Sequence, residues 1–185
     1  HQIDDIAHLR PLGKVKKLES KMVKEKPKGK IGIAHTRWAT HGKPSEKNAH
    51  PHVSNNRVFI VHNGIIENYV ALKEQLIKKG YQFNSQTDSE LIAHQLDFFL
   101  NQGSEMLDAM SLLKEKLEGA YAVAAIDLKN ESHFYLMRNK SPLLLGQSDS
   151  GMFAASDPLA LADLTNDFIF LEDGDVAEVS AKEYK

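Results

Sequence analysis

With 185 residues, 42% of them hydrophobic and 26% charged, the chain is long enough for one domain that buries roughly 70% of its unfolded surface, and no second domain is expected. A formal net charge of -2 excludes bulk attraction to nucleic acid or membrane; no run approaches the roughly 18 apolar residues of a membrane span and no signal peptide is visible, so a cytoplasmic location is expected. With no cysteine, disulfides, thiolate metal ligands and a thiol nucleophile are all excluded within these residues.

In GKVKKLESKMVKEKPKGK (13–30), Val15, Leu18, Met22 and Val23 recur at helical spacing among many lysines. The pattern predicts a short amphipathic helix ending before Pro27, its basic face solvated, with no Gly-rich phosphate loop beside it. IGIAH (31–35) and RVFIVHNG (57–64) read as buried strands. The roughly twenty residues between them form an expected long loop, a length that marks functional or disordered segments. Residues 67–79 read as a helix with Tyr69, Leu72, Leu76 and Ile77 on one face and Gly80 as its stop.

TDSELIAHQLDFFLNQG opens on a capping box: Thr87 caps the free amides and Glu90 returns the bond. The apolar face of that helix is Leu91, Ile92, Leu96 and Phe99, and Gly103 ends it. A third helix is expected near 104–118. Short apolar runs follow at 120–128, 133–139, 142–148, 151–156, 167–174 and 175–180, with a short helix near 157–163. Runs of helices and runs of strands, without repeats, point to an α+β protein with antiparallel sheets.

His35, His41, His50, His52 and His62 cluster around the long loop. A metal site is one reading, but Pro51 separates His50 from His52 and no acidic residue lies at a usual ligand spacing. Hydrogen-bonding or packing histidines are the other. Arg37 offers a planar fork for a carboxylate or phosphate, with Trp38 as a flat cover; the alternative is a surface arginine beside a half-buried tryptophan. Asn63 and Gly64 carry the strongest short hairpin signal, yet they also fit a pair of donors to an oxyanion. Asp88, in a first helical turn, is either a simple cap or a partner for an ammonium group. Together, Arg37 and Asp88 suit the two charged groups of a free amino acid, with Asn63 and Gly64 polarising a carbonyl further along it.

The order and spacing of GIAHTRWATHGKPSEKNAHPH, VHNGIIENY, TDSE and GAYAV strongly resemble the class II glutamine amidotransferase (glutaminase) domains of the glucosamine-6-phosphate synthases, from about Leu12 onward. HTRWATHG followed by NAHPH is the most specific part. The resemblance implies a four-layer αββα N-terminal nucleophile hydrolase fold, antiparallel sheets between helix layers. It implies hydrolysis of glutamine to glutamate and ammonia, the ammonia passing to a separate isomerase domain that makes glucosamine 6-phosphate from fructose 6-phosphate. It further implies that Arg37 holds the α-carboxylate and Asp88 the α-ammonium, that Thr40 and His41 line the pocket, and that Asn63 and Gly64 form the oxyanion hole. Trp38 would close over the site and His50 support the loop. No cofactor, metal, nucleic acid or membrane is implied, and the parent protein is expected to be a homo-oligomer.

In that family the nucleophile is the thiol of an N-terminal Cys whose own α-amino group is the base. The chain opens on His1 and holds no cysteine, so it is expected to lack the segment with the nucleophile, the first strand and a helix, and to be inactive by itself. Ser45 or Ser89 as a substitute would lack an N-terminal amine as base. Two other readings remain: a catalytically dead glutamine-binding sensor or partner module, and a metal-dependent hydrolase resting on the histidines.

Overall fold

A computed structural model describes residues 2–3, 6–37 and 42–185. The chain begins with two-residue strands β1 (Gln2–Ile3) and β2 (Ile6–Ala7), paired antiparallel. Helix α1 (Val15–Glu25) forms where expected and stops at Lys26, whose left-handed backbone (φ 45°) turns its N–H onto the Met22 carbonyl at 2.8 Å. No residue of α1 is buried.

The IGIAH segment departs from expectation: residues 31–35 form no strand. Strand composition alone does not satisfy backbone amides, and no described strand lies alongside to complete a ladder. The long loop, in contrast, carries structure of its own. A 3-10 turn (Glu46–Asn48) is capped by Ser45, and strand β3 (His52–Ser54) follows a cis His50–Pro51 bond.

A hairpin with a three-residue connection, 55–57, joins β3 to β4 (Val58–Ile66), and its turn is centred on Asn55–Asn56 rather than Asn63–Gly64. Both asparagines adopt left-handed backbone (φ 48° and 53°), as this turn demands, and the Arg57 N–H closes it onto the Ser54 carbonyl at 2.9 Å. Asn63 and Gly64 instead lie within β4, which pairs along its whole length with β5 (Gly119–Asp127), Asn63 opposite Ala122 and Gly64 opposite Tyr121. With β6 (Phe134–Asn139) and β10 (Val176–Val179) these strands make a five-stranded antiparallel sheet in the order β10-β6-β5-β4-β3.

Strand β7 (Leu144–Ser148) is flanked by β8 (Gly151–Ala155) and β9 (Asp167–Phe170) in a second, three-stranded antiparallel sheet. The larger sheet has two packed faces, so its alternating residues are divided between two cores. On one face Val58, Ile60, Val123 and Met137 meet α2 (Tyr69–Lys78), α3 (Ser89–Asn101) and α4 (Met106–Lys114) through Leu72, Leu76, Leu96 and Met110. On the other face Ala122, Leu136 and Val179 meet Leu145, Met152 and Leu171 of the smaller sheet or its approaches. The smaller sheet's Gly146 abuts Leu161 of a 3-10 turn (Pro158–Leu161), the short helix expected near 157–163.

Helix α3 is buried from Ser89 to Asp97, including Glu90, His94, Gln95 and Asp97, so polar contacts as well as apolar ones hold it. Leu91, Ile92, Leu96 and Phe99 are buried as their spacing predicts, whereas Ile77 on α2 is half exposed. The capping box does not form. Thr87 turns its hydroxyl to His52 and Ser85, and Glu90 takes the Asn84 and Ser85 amides at 2.9 and 2.7 Å together with the Ser85 hydroxyl. Those amides lie one turn upstream of the helix, so Glu90 ties down the preceding loop in place of a cap.

Candidate active site

Gly64 is a point in β4 where the paired strand β5 leaves no room for a side chain. Its φ of +129° is a region that L side chains rarely adopt, and a Cβ there would press on the Ala120 carbonyl oxygen and lie 2.8 Å from the Tyr121 Cα. Asn63, one residue earlier, is exposed. By strand alternation its side chain leaves the sheet on the face opposite to buried His62.

Two residues beyond Gly64, the Ile66 N–H donates to Asp88 Oδ2 at 2.8 Å, which brings this half-buried carboxylate beside the end of β4. Asp88 is also the residue that precedes α3, where the aligned peptide dipoles favour a negative charge. A recess of about 150 Å³ opens here, lined by Ile65, Ile66, Glu67, Tyr69, Gln86 and Asp88.

Arg37 stands on the other loop, half-buried, its Nη2 donating to the Gly42 carbonyl at 3.4 Å. Gly42 has φ +76° and is pressed against Asn48, whose Nδ2 would be 2.7 Å from any Cβ at that position. Trp38, Thr40 and His41 lie outside the described residues.

A group of histidines lies within electrostatic reach of these charges, His35, His50 and His52 near Arg37 and His62 near Asp88. The His50 ring packs against those of His35 (centroids 4.3 Å apart) and His52 (4.9 Å). His52 Nε2 meets the Thr87 hydroxyl at 3.1 Å, and His62 Nδ1 meets the Ser89 hydroxyl at 2.9 Å. Burial disfavours the imidazolium in every case. It lowers His35, helped by the Arg37 cation, and drives His50 far below the ordinary histidine range, with His35, His52, His62 and Arg37 adding to the effect. His52 is lowered to about 4 against an opposing pull from Glu90, and His62 to about 4 against Asp88. The imidazoles near Arg37 and Asp88 are therefore held neutral.

This neutrality predicts a pH dependence of stability. His52 and His62 titrate near 4 when folded and near 6.5 when unfolded, so as pH falls the unfolded chain takes up protons first. Their contribution is complete above about pH 6.5 and is lost as pH falls to about 4, with a slope of about 1.4 kcal/mol per pH unit for each histidine. Glu90 acts lower. Burial pushes its carboxyl up, but bonds from His94, the Asn84 and Ser85 amides and the Ser85 hydroxyl together outweigh that and hold it near 2, so its share is lost between about pH 4.5 and 2. Urea midpoints measured from pH 7.5 to 4.5 are expected to fall steadily below pH 6.5, less steeply for His62→Asn; a flat profile down to pH 5 would contradict the neutrality of these buried histidines.

The described residues contain no group of three or more His, Cys, Asp or Glu placed to hold a metal ion. Of the two serines weighed as substitutes, the Ser45 hydroxyl accepts the Asn48 N–H at 3.3 Å and Ser89 is buried beside His62; neither is an N-terminal residue with its own amine as base. A larger hollow of about 380 Å³ lies elsewhere, lined by Asn55, Arg57, Asp97, Asn101 and Lys129 among others. Its polar groups serve one another: Asp97 accepts from Asn55, Tyr81 and Asn101, and Arg57 is paired with Asp127 at 2.8 Å. That network staples the β3–β4 hairpin to α3.

Residues that sequence reasoning missed are Asn48, Gln86 and Glu90 as loop organisers. Asn48 stood in the conspicuous NAHPH run, but nothing local shows that its amide reaches across to residue 86.

A family model described as "Glutamine amidotransferase domain" matches residues 35–163. The chain is similar to the glutamine--fructose-6-phosphate aminotransferases [isomerizing] of Vibrio parahaemolyticus, at 46% identity over 97% of this chain and 29% of the relative, and of Photorhabdus laumondii, at 49% identity over 94% and 28%. It thus spans less than a third of the length of these curated relatives. Among solved structures it is similar to the glutamine phosphoribosylpyrophosphate amidotransferase from B. subtilis (24% identity, TM-score 0.68, 82% of this chain and 33% of that one). A second, titled as the allosteric regulatory enzyme of purine biosynthesis, gives 24% identity and a TM-score of 0.63, covering 75% and 30%. These two likenesses establish the fold, the α+β amidotransferase architecture expected of the sequence. Taken with the family match, they make the chain a member of the glutamine amidotransferase domain family.

Proposed function

We propose that this chain is the glutamine-binding part of a glutaminase that supplies ammonia for glucosamine 6-phosphate synthesis. The observation that carries the reading is the Ile66 N–H to Asp88 bond, which sets a carboxylate two residues from the Asn63–Gly64 pair at the end of one strand. Asp88 takes the α-ammonium of glutamine and Arg37 its α-carboxylate. The Asn63 amide and the Gly64 N–H then stabilise the oxyanion formed when a nucleophile attacks the side-chain carbonyl. Trp38, Thr40 and His41 close and line the pocket, and His50 supports the loop through its packing on His35 and His52.

In the complete reaction a thiolate adds to the amide carbon, ammonia leaves with a proton, and water releases glutamate from the thioester. With no cysteine among these residues, hydrolysis belongs to a longer protein that supplies the nucleophile. Fructose 6-phosphate and an isomerase domain are part of the same proposal, supported by the names of the relatives; a homo-oligomeric, cytoplasmic parent belongs to the proposal as well. The absence of cysteine also favours a second reading, a glutamine-binding module without turnover.

Calorimetry separates the outcomes. L-glutamine and L-glutamate are expected to bind, D-glutamine and 4-carbamoylbutyrate, which lacks the amino group, much more weakly. Ammonia release by the full-length protein supports the glutaminase; binding without release supports the module. No discrimination between the L and D forms would overturn both.

A further inference from the structure

Asn48 is a neutral amide only 2% exposed, yet each end of its side chain is occupied. Nδ2 donates to the Lys43 carbonyl at 2.9 Å and to Gln86 Oε1 at 3.2 Å, and Oδ1 accepts the Gln86 N–H at 2.9 Å. Lys43 adjoins Gly42, whose carbonyl accepts from Arg37, and Gly42 itself is packed against Asn48. Gln86 lies two residues before Asp88 and lines the same recess. A continuous path therefore runs from Arg37 through Gly42 and Lys43 to Asn48, and from Asn48 through Gln86 to Asp88.

We propose that Asn48 is a positioning residue that sets the spacing between Arg37 and Asp88, so that the two loops recognise the carboxylate and ammonium of one α-amino acid together. The inference rests on the glutamine-binding reading above. An α-amino acid carries both charges on one carbon, so its two partners must be held at a separation fixed to about 0.5 Å. The two loops are distant in sequence and belong to different elements. Asn48 joins them by an amide fork, and because it is buried, losing either end leaves Lys43 or Gln86 groups without that partner. Asn48 touches no substrate itself; it makes the two charges act as one site.

The test compares two ligands on the wild-type protein and on Asn48→Ala: L-glutamine, which uses both charges, and 4-carbamoylbutyrate, which uses the carboxylate alone. Asn48→Ala is expected to weaken L-glutamine at least about tenfold, the worth of a buried amide's hydrogen bonds, and 4-carbamoylbutyrate less than about twofold. The advantage conferred by the amino group then collapses although Arg37 and Asp88 are both intact. Gln86→Ala, at an exposed position, removes the bond from Asn48 Nδ2 to Gln86 Oε1 while the Gln86 backbone N–H still reaches Asn48 Oδ1, and is expected to move the ratio the same way by a smaller factor. It serves as the deciding variant where Asn48→Ala does not fold.

Equal weakening of both ligands would mean a merely structural role and would overturn the proposal, as would no change in either. If the wild-type protein fails to prefer L-glutamine, the glutamine-binding reading fails first. If Arg37→Ala and Asp88→Asn weaken L-glutamine while the Asn48 and Gln86 variants leave its advantage untouched, only the role of Asn48 is lost.

Discussion

Gly64→Ala is expected to destabilise the fold by about 3 kcal/mol or more, as strained backbone and overpacking act at the same residue. The backbone there sits at φ +129°, and the added methyl meets the Ala120 carbonyl and the Tyr121 Cα on the paired strand. Neither neighbour is a flexible side-chain end, so relief requires β4 and β5 to part. Gly119, opposite Ile66 in the same ladder, has φ +121° and faces the Ile65 carbonyl as closely, so Gly119→Ala is expected to behave alike. Urea unfolding checks this, with a lowered midpoint and an unchanged slope; a loss below about 1 kcal/mol would show that the strands yield easily. The functional consequence follows from position. Asn63 and the recess beside Asp88 both take their placement from this end of β4.

Asp88→Asn is expected to weaken L-glutamine by about a hundredfold, near 2.7 kcal/mol, the scale of removing one charge from a desolvated pair. The substitution is isosteric and keeps an oxygen able to accept the Ile66 N–H, so stability should change by less than about 1 kcal/mol. Because the ligand's ammonium is the group affected, 4-carbamoylbutyrate should lose less than about threefold. Calorimetry on the two ligands reads both values. If L-glutamine weakens by less than about fivefold, Asp88 is a structural cap for the strand end and the ammonium must bind elsewhere.

Much of the fold was legible because apolar spacing reports local structure directly. Leu18 and Met22 marked α1, Leu91, Ile92 and Leu96 marked α3, and the short runs after residue 120 marked the strands of two sheets. The misreadings share one cause. Asn63–Gly64 carries a hairpin signal, but the turn fell at Asn55–Asn56, because nine residues of β4 pair with β5 and extend through the later pair. Thr87 and Glu90 have the spacing of a capping box, yet their hydrogen bonds go to His52 and to the loop at Asn84 and Ser85. IGIAH has a strand's composition and no described strand to complete it. A local pattern states what a segment can do, while pairing across the chain decides what it does.

The same division holds for the site. The sequence by itself determined which chemistry is present: an arginine, an Asn-Gly pair and an aspartate at Arg37, Asn63, Gly64 and Asp88, and no cysteine to act as nucleophile. Only the tertiary structure decided how these residues relate. It set Asp88 against Ile66, buried His50, His52 and His62 until they stay neutral, and placed Asn48 between the two charged loops. Residue type and spacing are carried along the chain, whereas desolvation and hydrogen bonding between distant loops exist only once the chain has closed upon itself.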